Sequence, residues 1–245
     1  MSIWGKIAGV GLGAALGGPI GALIGLAAGH AVDKGVEGGG DDAPVRGPEA
    51  SIAFTVGVIA LSAKMAKADG QVTRSEVDAF KKMFHVPASE EKNVGRIFDL
   101  ARQDVAGFEA YAKQIARMFR DRRNVLEDLL DGLFRIAMAD GVFHPSEETF
   151  LRRVAELFGF SEHEFLRIKA SHLGPDAADP YVILGVDHDA DNDHIKQTYR
   201  RLVRENHPDA LIARGVPEEF VEIANDKLAK INDAYDRIAK ERGIK

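Results

Sequence analysis

The chain has 245 residues, a formal net charge of −6 and no cysteine. That length holds one or two ordinary domains, the acidic balance excludes a generic polyanion binder, and the missing thiols exclude disulfides and thiolate metal sites. One Trp and four Tyr among abundant Ala, Leu and Ile predict an all-α protein, divided where Gly and Pro gather: the first 48 residues, the turns near 70 and 141, and 174–180.

From Ile7 to Ala28 no residue is charged, and 22 residues would span about 33 Å as a helix, enough to cross a hydrocarbon core. Gly recurs at positions 5, 9, 13, 17, 21, 25 and 29. Steps of four drift slowly round a helix, so the repeat leaves a smooth stripe along which a second helix can approach closely. The expectation is a transmembrane segment over 1–34 that dimerises through Gly13, Gly17 and Gly21. Three other readings stay open: a secretory signal, a hairpin broken at Gly18-Pro19, and a disordered Gly-Ala arm. Flanking charge does not set the orientation. Residues 35–48, rich in Gly and Asp with Pro44 and Pro48, read as a flexible tether.

From 49 to 173 the apolar residues follow helical spacing almost throughout, which predicts a helical bundle. It contains an internal repeat. Ala66-Lys67-Ala68-Asp69-Gly70 followed by Ser75-Glu76 recurs 71 residues later as Ala137-Met138-Ala139-Asp140-Gly141 followed by Ser146-Glu147. Each copy predicts a helix, an Asp-Gly turn and a second helix, with further helices near 89–101 and 106–120. Asp69, Glu76, Asp140 and Glu147 are thus four related carboxylates. Half of a calcium loop is present, but Met65, Lys67, Ile136 and Met138 occupy the positions that should supply its first oxygens. Caps explain the carboxylates without metal: Thr73-x-x-Glu76 is a capping box, and Pro145 stands at N1 with Glu147 at N3. Three readings are carried forward: caps and turns, a divalent metal, or an acidic face that binds a partner. His85, His163 and His172 show no ligand spacing and are expected on the surface or in turns.

After a linker at 174–179, residues 180–245 form the last unit. Ile195, Tyr199, Leu202 and Val203 line one face of a predicted helix, while Lys196, Arg200, Arg201 and Arg204 collect on the other. Pro208 disfavours helical dihedrals at His207, so His207-Pro208-Asp209 is expected to leave the helix as a stiff, exposed loop. A third helix is predicted through Phe220, Ile223, Ala224, Leu228, Ile231, Ala234, Tyr235 and Ile238. The unit carries 11 Lys/Arg against 13 Asp/Glu. Its basicity is therefore one stripe, suited to an acidic protein surface and not to nucleic acid.

A basic helix followed by His-Pro-Asp, preceded by Tyr181-Val-Ile-Leu-Gly-Val186 and followed by Asn232-Asp233-Ala234-Tyr235, resembles the J domain of DnaJ-type cochaperones. Ala210 departs from the family, many of whose members have Lys there. Trp4-Gly5-Lys6 and Gly29-His30-x-x-Asp33-Lys34, flanking the Gly-rich run, resemble the N-terminus of the DjlA-type branch of that family. The Asp-Gly repeat resembles the TerB-like domain that the same branch carries. The resemblance implies a single inner-membrane span with the later domains in the cytoplasm, since a J domain serves only where ATP and its chaperone are. It also implies that the protein, with no enzymatic activity of its own, stimulates a DnaK-type ATPase chaperone. Lys196, Arg200, Arg201 and Arg204 would then dock on that partner, and His207, Pro208 and Asp209 would act at its interdomain contact. The alternative is a TerB-type metal or stress-response sensor, for tellurite or envelope stress, that recruits chaperone secondarily. A hydrolase is discouraged by the lack of a nucleophile motif or phosphate-cradling loop.

Overall fold

Residues 52–66 hold one charge, Lys64, and a helix apolar on every side must bury every side. The computed structural model, which describes residues 17–27, 48–69, 74–83, 86, 88–103, 107–172, 179–213 and 221–244, makes this helix the hub of the protein. All elements among the described residues are helical. In chain order they are α1 (Gly18–Ala27), α2 (Pro48–Asp69), α3 (Arg74–Met83), α4 (Glu91–Gln103), α5 (Phe108–Met118), α6 (Arg123–Ala137), α7 (Pro145–Leu157), α8 (Glu162–His172), α9 (Pro180–Leu184), α10 (Asn192–Glu205), α11 (Pro208–Ala213) and α12 (Val221–Arg242).

Helix α2 is contacted by α1, α4, α5, α6 and α7, and every residue from 52 to 66 is buried. It has no polar face, contrary to the amphipathic pattern expected through this region. Gly57 sets its closest approach, since a Cβ there would stand 2.9 Å from Ile115 of α5. Phe54 meets Phe119 edge to face with ring centroids 6.3 Å apart. Truncating a fully buried Phe such as Phe54 costs about 3–5 kcal/mol.

The two repeat copies lie in α2 and α3 and in α6 and α7, and the second pair packs as a hairpin. In the second, Gly141 takes the left-handed φ of 83° that an Asp-Gly turn needs. Pro145 opens α7, and His144 donates its backbone N–H to Glu147 Oε2 at 2.9 Å, as the capping reading expects.

A second core is built by α9, α10 and α12 around Tyr181, Leu184, Ile195, Leu202, Ile231, Ala234 and Ile238. Asp179 caps α9, accepting from the Tyr181 N–H at 2.9 Å, and Gly185 ends it with φ 68°. The two cores exchange residues: Ala224 of α12 belongs to the bundle's cluster, and Ala170 of α8 belongs to the second. A Cβ on Gly185 would lie 2.9 Å from Arg167 Cδ of α8, so the α9 cap rests directly on the bundle.

The N-terminal expectation lies largely outside the described residues, Gly13 included. Within them Gly17 and Gly18 both have positive φ, 56° and 55°, and α1 starts at Gly18. Its ten residues span about 15 Å. No helix among the described residues is long and apolar enough to cross a membrane.

Candidate functional site

The basic face expected on the last unit forms on α10. Asp191 caps the helix by accepting from the His194 N–H at 2.7 Å. Ile195 and Leu202 are buried, with Tyr199 and Val203 partly so, which turns Arg200, Arg201 and Arg204 to solvent and leaves Lys196 half-buried. Arg201 pairs with Glu205 at 2.8 Å, so the outward charge rests chiefly on Arg200 and Arg204. The Asn-x-Ala-Tyr signature explains how this helix is held. Tyr235 stacks on Tyr199 at 4.0 Å and 9°, Tyr199 Oη donates to Asn232 Oδ1 at 3.1 Å, and Ala234 is fully buried beneath them.

The His-Pro-Asp segment differs from the stiff loop expected. Asn206 stops α10, donating both its backbone N–H (3.0 Å) and its Nδ2 (2.8 Å) to Leu202 O. Only Asn206 and His207 separate α10 from α11, because Pro208 can occupy the first turn of a new helix at no cost in hydrogen bonds. Thus Pro208 starts α11, and the Ala210 N–H donates to His207 O at 2.9 Å. The Asp209 N–H donates to His207 Nδ1 at 3.3 Å, with Asp209 Oδ2 3.7 Å from the same nitrogen. The neutral imidazole then carries its proton on Nε2. Both side chains remain exposed, His207 at 53% and Asp209 at 89%. An exposed imidazole donor and a carboxylate thus sit at a helix junction beside two outward arginines, a surface that can dock on an acidic partner and form directional hydrogen bonds.

A polar cluster that the sequence did not reveal fixes the last unit on the bundle. Lys227 of α12 lies 2.8 Å from Glu127 Oε1 and 3.3 Å from Asp128 Oδ1 of α6, and Arg167 of α8 lies 2.9 Å from Glu127 Oε2. Arg135 meets Asp226 at 2.7 Å. Burial works against the Glu127 carboxylate, but Lys227 and Arg167 hold it down to about 2. Asp128 gains less, since burial and the neighbouring Glu127 and Asp131 outweigh Lys227 and raise its pKa to about 6. Asp128 Oδ2 has no hydrogen-bond partner among the described residues. Asp131 is held well below the usual carboxylate range despite burial, by the bonded His172 ring and by Lys227 and Lys230.

His172 corrects the expectation of a surface histidine. Its side chain is 4% exposed, its Nε2 lies 2.6 Å from Asp131 Oδ1, and its ring stacks on Phe134 at 5.2 Å. Burial pushes its pKa down although Asp131 pulls the other way. His163 is exposed, as expected, and His85 lies outside the described residues.

Of the four repeated carboxylates, Asp140 accepts from the Val142 N–H at 2.9 Å and Glu147 is the buried α7 cap. The Asp69 and Glu76 side chains lie outside those described. Among the described residues, no group of three or more His, Asp or Glu is placed to hold a metal ion.

Comparison with known proteins covers the whole of this arrangement. A family model described as "Co-chaperone DjlA transmembrane domain" matches residues 1–41, "Tellurite resistance protein TerB" matches 55–170, and "DnaJ domain" matches 179–242. The chain is 31% identical over 219 residues to the Co-chaperone protein DjlA of Aliivibrio fischeri, covering 76% of this chain and 77% of that protein. It is 30% identical over 227 residues to the protein of the same name from Vibrio vulnificus strain YJ016, covering 78% and 79%. The Haemophilus ducreyi protein is 27% identical over 233 residues, covering 78% and 80%. No solved structure matches the chain.

Proposed function

The chain belongs to the DjlA family of co-chaperones, and on that premise we propose that it stimulates ATP hydrolysis by a DnaK-type chaperone and recruits that chaperone to the inner membrane. The observation that carries the proposal is the exposed His207-Pro208-Asp209 junction beside Arg200 and Arg204. The arginines steer and dock an acidic surface, while His207 and Asp209 form the short-range bonds that change the partner's state. The protein's role is regulatory, and the hydrolysed bond belongs to the partner.

In single-turnover assays His207→Gln should lose stimulation while its helical content stays unchanged, because Gln keeps a polar group but not the imidazole bonded to the Asp209 N–H. Full stimulation by that variant would remove the assignment. In this reading the Gly-rich segment is a single inner-membrane span, the later domains are cytoplasmic, and Gly13, Gly17 and Gly21 lie at the contact of a homodimer. A transmembrane-association reporter comparing the wild type with Gly17→Ile tests the dimer, and equal association would refute it. The metal-sensor alternative draws less support, since Asp140 and Glu147 already serve backbone groups. Calorimetric titration of the full chain with divalent ions tests it directly.

A further inference from the structure

Helix α1 is seated in the bundle as a core element. Ile20, Leu23 and Ile24 are 0%, 2% and 1% exposed and share one hydrophobic cluster with α2, α4 and α5. Apolar burial alone would accept many helices, but this seat also reads the backbone of the segment. A helix leaves its first N–H and last C=O groups without partners. Gln114 of α5, itself 5% exposed, serves both sides of the α1 start: Nε2 donates to Gly17 O at 2.8 Å, and Oε1 accepts from the Ile20 N–H at 2.9 Å. At the other end Arg96 Nη2 donates to Leu26 O at 3.1 Å. Gly18, at φ +55°, lies so close that a Cβ would stand 2.7 Å from Gln114 Oε1.

The seated helix reaches about 15 Å, half of the roughly 30 Å that a bilayer core requires. A span over the uncharged stretch must take Gly17 to Leu26 away from Gln114 and Arg96. Between Ala27 and Pro48 lie residues 28–47; twenty residues can reach about 65 Å when extended, a length that permits either position without moving the bundle.

We propose that residues 17–26 have two mutually exclusive positions, the seat formed by α2, α4 and α5 and the lipid bilayer, so that insertion of the anchor empties a helix-binding groove on the central domain. This rests on the membrane-anchor reading. The groove's occupant is the chain's own segment, held in cis.

Because the chain has no cysteine, a single engineered pair reports occupancy. The full chain carrying Leu26→Cys and Arg96→Cys is synthesised in vitro with and without vesicles of phosphatidylethanolamine and phosphatidylglycerol, then treated with a short bismaleimide. Arg96→Cys removes one seat bond but leaves both bonds of Gln114. An intramolecular crosslink without vesicles that falls several-fold in the carbonate-resistant vesicle fraction is the expected result. Adding Gly18→Ala, which favours a free helix but collides with Gln114 in the seat, should lower the crosslink without vesicles and raise the carbonate-resistant share. Gln114→Leu should do the same by removing both bonds. A crosslink undiminished in carbonate-resistant protein overturns the exclusion while leaving anchoring intact. A chain that crosslinks yet never becomes carbonate-resistant overturns the exclusion together with the anchor reading. No crosslink in either condition, or one formed only between separately tagged copies, overturns the cis seat.

Discussion

Lys227→Met tests whether the charge cluster holds the J domain on the bundle. The lysine is 7% exposed and faces Glu127 and Asp128, with Asp131 also near enough to raise its pKa. Removing one partner of a buried pair costs about 3–5 kcal/mol, because the other charge stays desolvated. Glu127 keeps Arg167, so the burden falls on Asp128, which burial, with Glu127 and Asp131, already raises from 3.8 to about 6. At pH 7 protonating a group of pKa about 6 costs about 1.4 kcal/mol, so proton uptake offers a cheaper route than leaving the charge bare. The loss at pH 7.5 should therefore lie near the lower end, about 3 kcal/mol. A carboxyl whose folded pKa is raised gains stability on acidification: the contribution is present below the unfolded value of 3.8 and lost as pH rises through about 6. Without Lys227 the folded pKa climbs further, so the deficit relative to wild type should shrink by roughly half at pH 5.5. His172, lowered by burial, loses stabilisation below its unfolded pKa, but in wild type and variant alike, so the difference between them isolates Asp128. Denaturant midpoints of the full chain, followed by circular dichroism at the two pH values, provide the readout. Lys227→Met with Asp128→Asn should recover most of the loss. A deficit equal at both pH values, or none at pH 7.5, would refute the account.

Arg200→Glu and Arg204→Glu should weaken binding to the DnaK-type partner in low salt far more than in high salt, since steering between exposed charges is screened; a salt-independent loss, read by surface plasmon resonance, would count against docking through this face. Tyr199→Phe should cost about 1 kcal/mol through the lost bond to Asn232, with the stack on Tyr235 retained, whereas Tyr199→Ala loses the stack as well; thermal melts separate the two. Gly185→Ala forces a left-handed residue against Arg167 and should destabilise by more than about 1 kcal/mol, where an unstrained Gly-to-Ala change would stabilise. Glu147→Gln should be nearly neutral and Glu147→Ala should lose about 1 kcal/mol, while a chelator-dependent wild-type melt absent from Glu147→Gln would instead favour metal.

What the sequence showed was what local spacing can carry. The face of α10, the Pro145 and Glu147 cap and the tie of Asn232 and Tyr235 to the fold all depend on residues a turn or two apart, or on a motif whose context was complete. The junction after His207 departs from the loop expected because proline bars helical dihedrals only at the residue before it, and is itself well suited to starting a helix. The burial of His172 has no sign in the sequence because its partner Asp131 is 41 positions away and a lone histidine carries no local mark. Lys227 and Asp128 are 99 positions apart. One signal was available: Asp128 and Asp131 interrupt the apolar run Val125, Leu126, Leu129, Leu130, Leu133 and Phe134, so α6 has no wide polar face on which to solvate them. The docking of α1 was hidden for the opposite reason, because an uncharged Gly-rich helix satisfies lipid and a protein groove equally well.

The exchange of Ala224 and Ala170 between the two cores bears on where the chain can be cut. A fragment ended before residue 179 keeps the carboxylates of α6 but loses Lys227 and the alanine that closes its core, and so becomes a more acidic body with an open seam. The complementary fragment begins with Gly185 facing solvent where Arg167 had lain, and with Lys227 deprived of its counter-charges. Measurements on such halves would describe two surfaces that the intact chain never exposes.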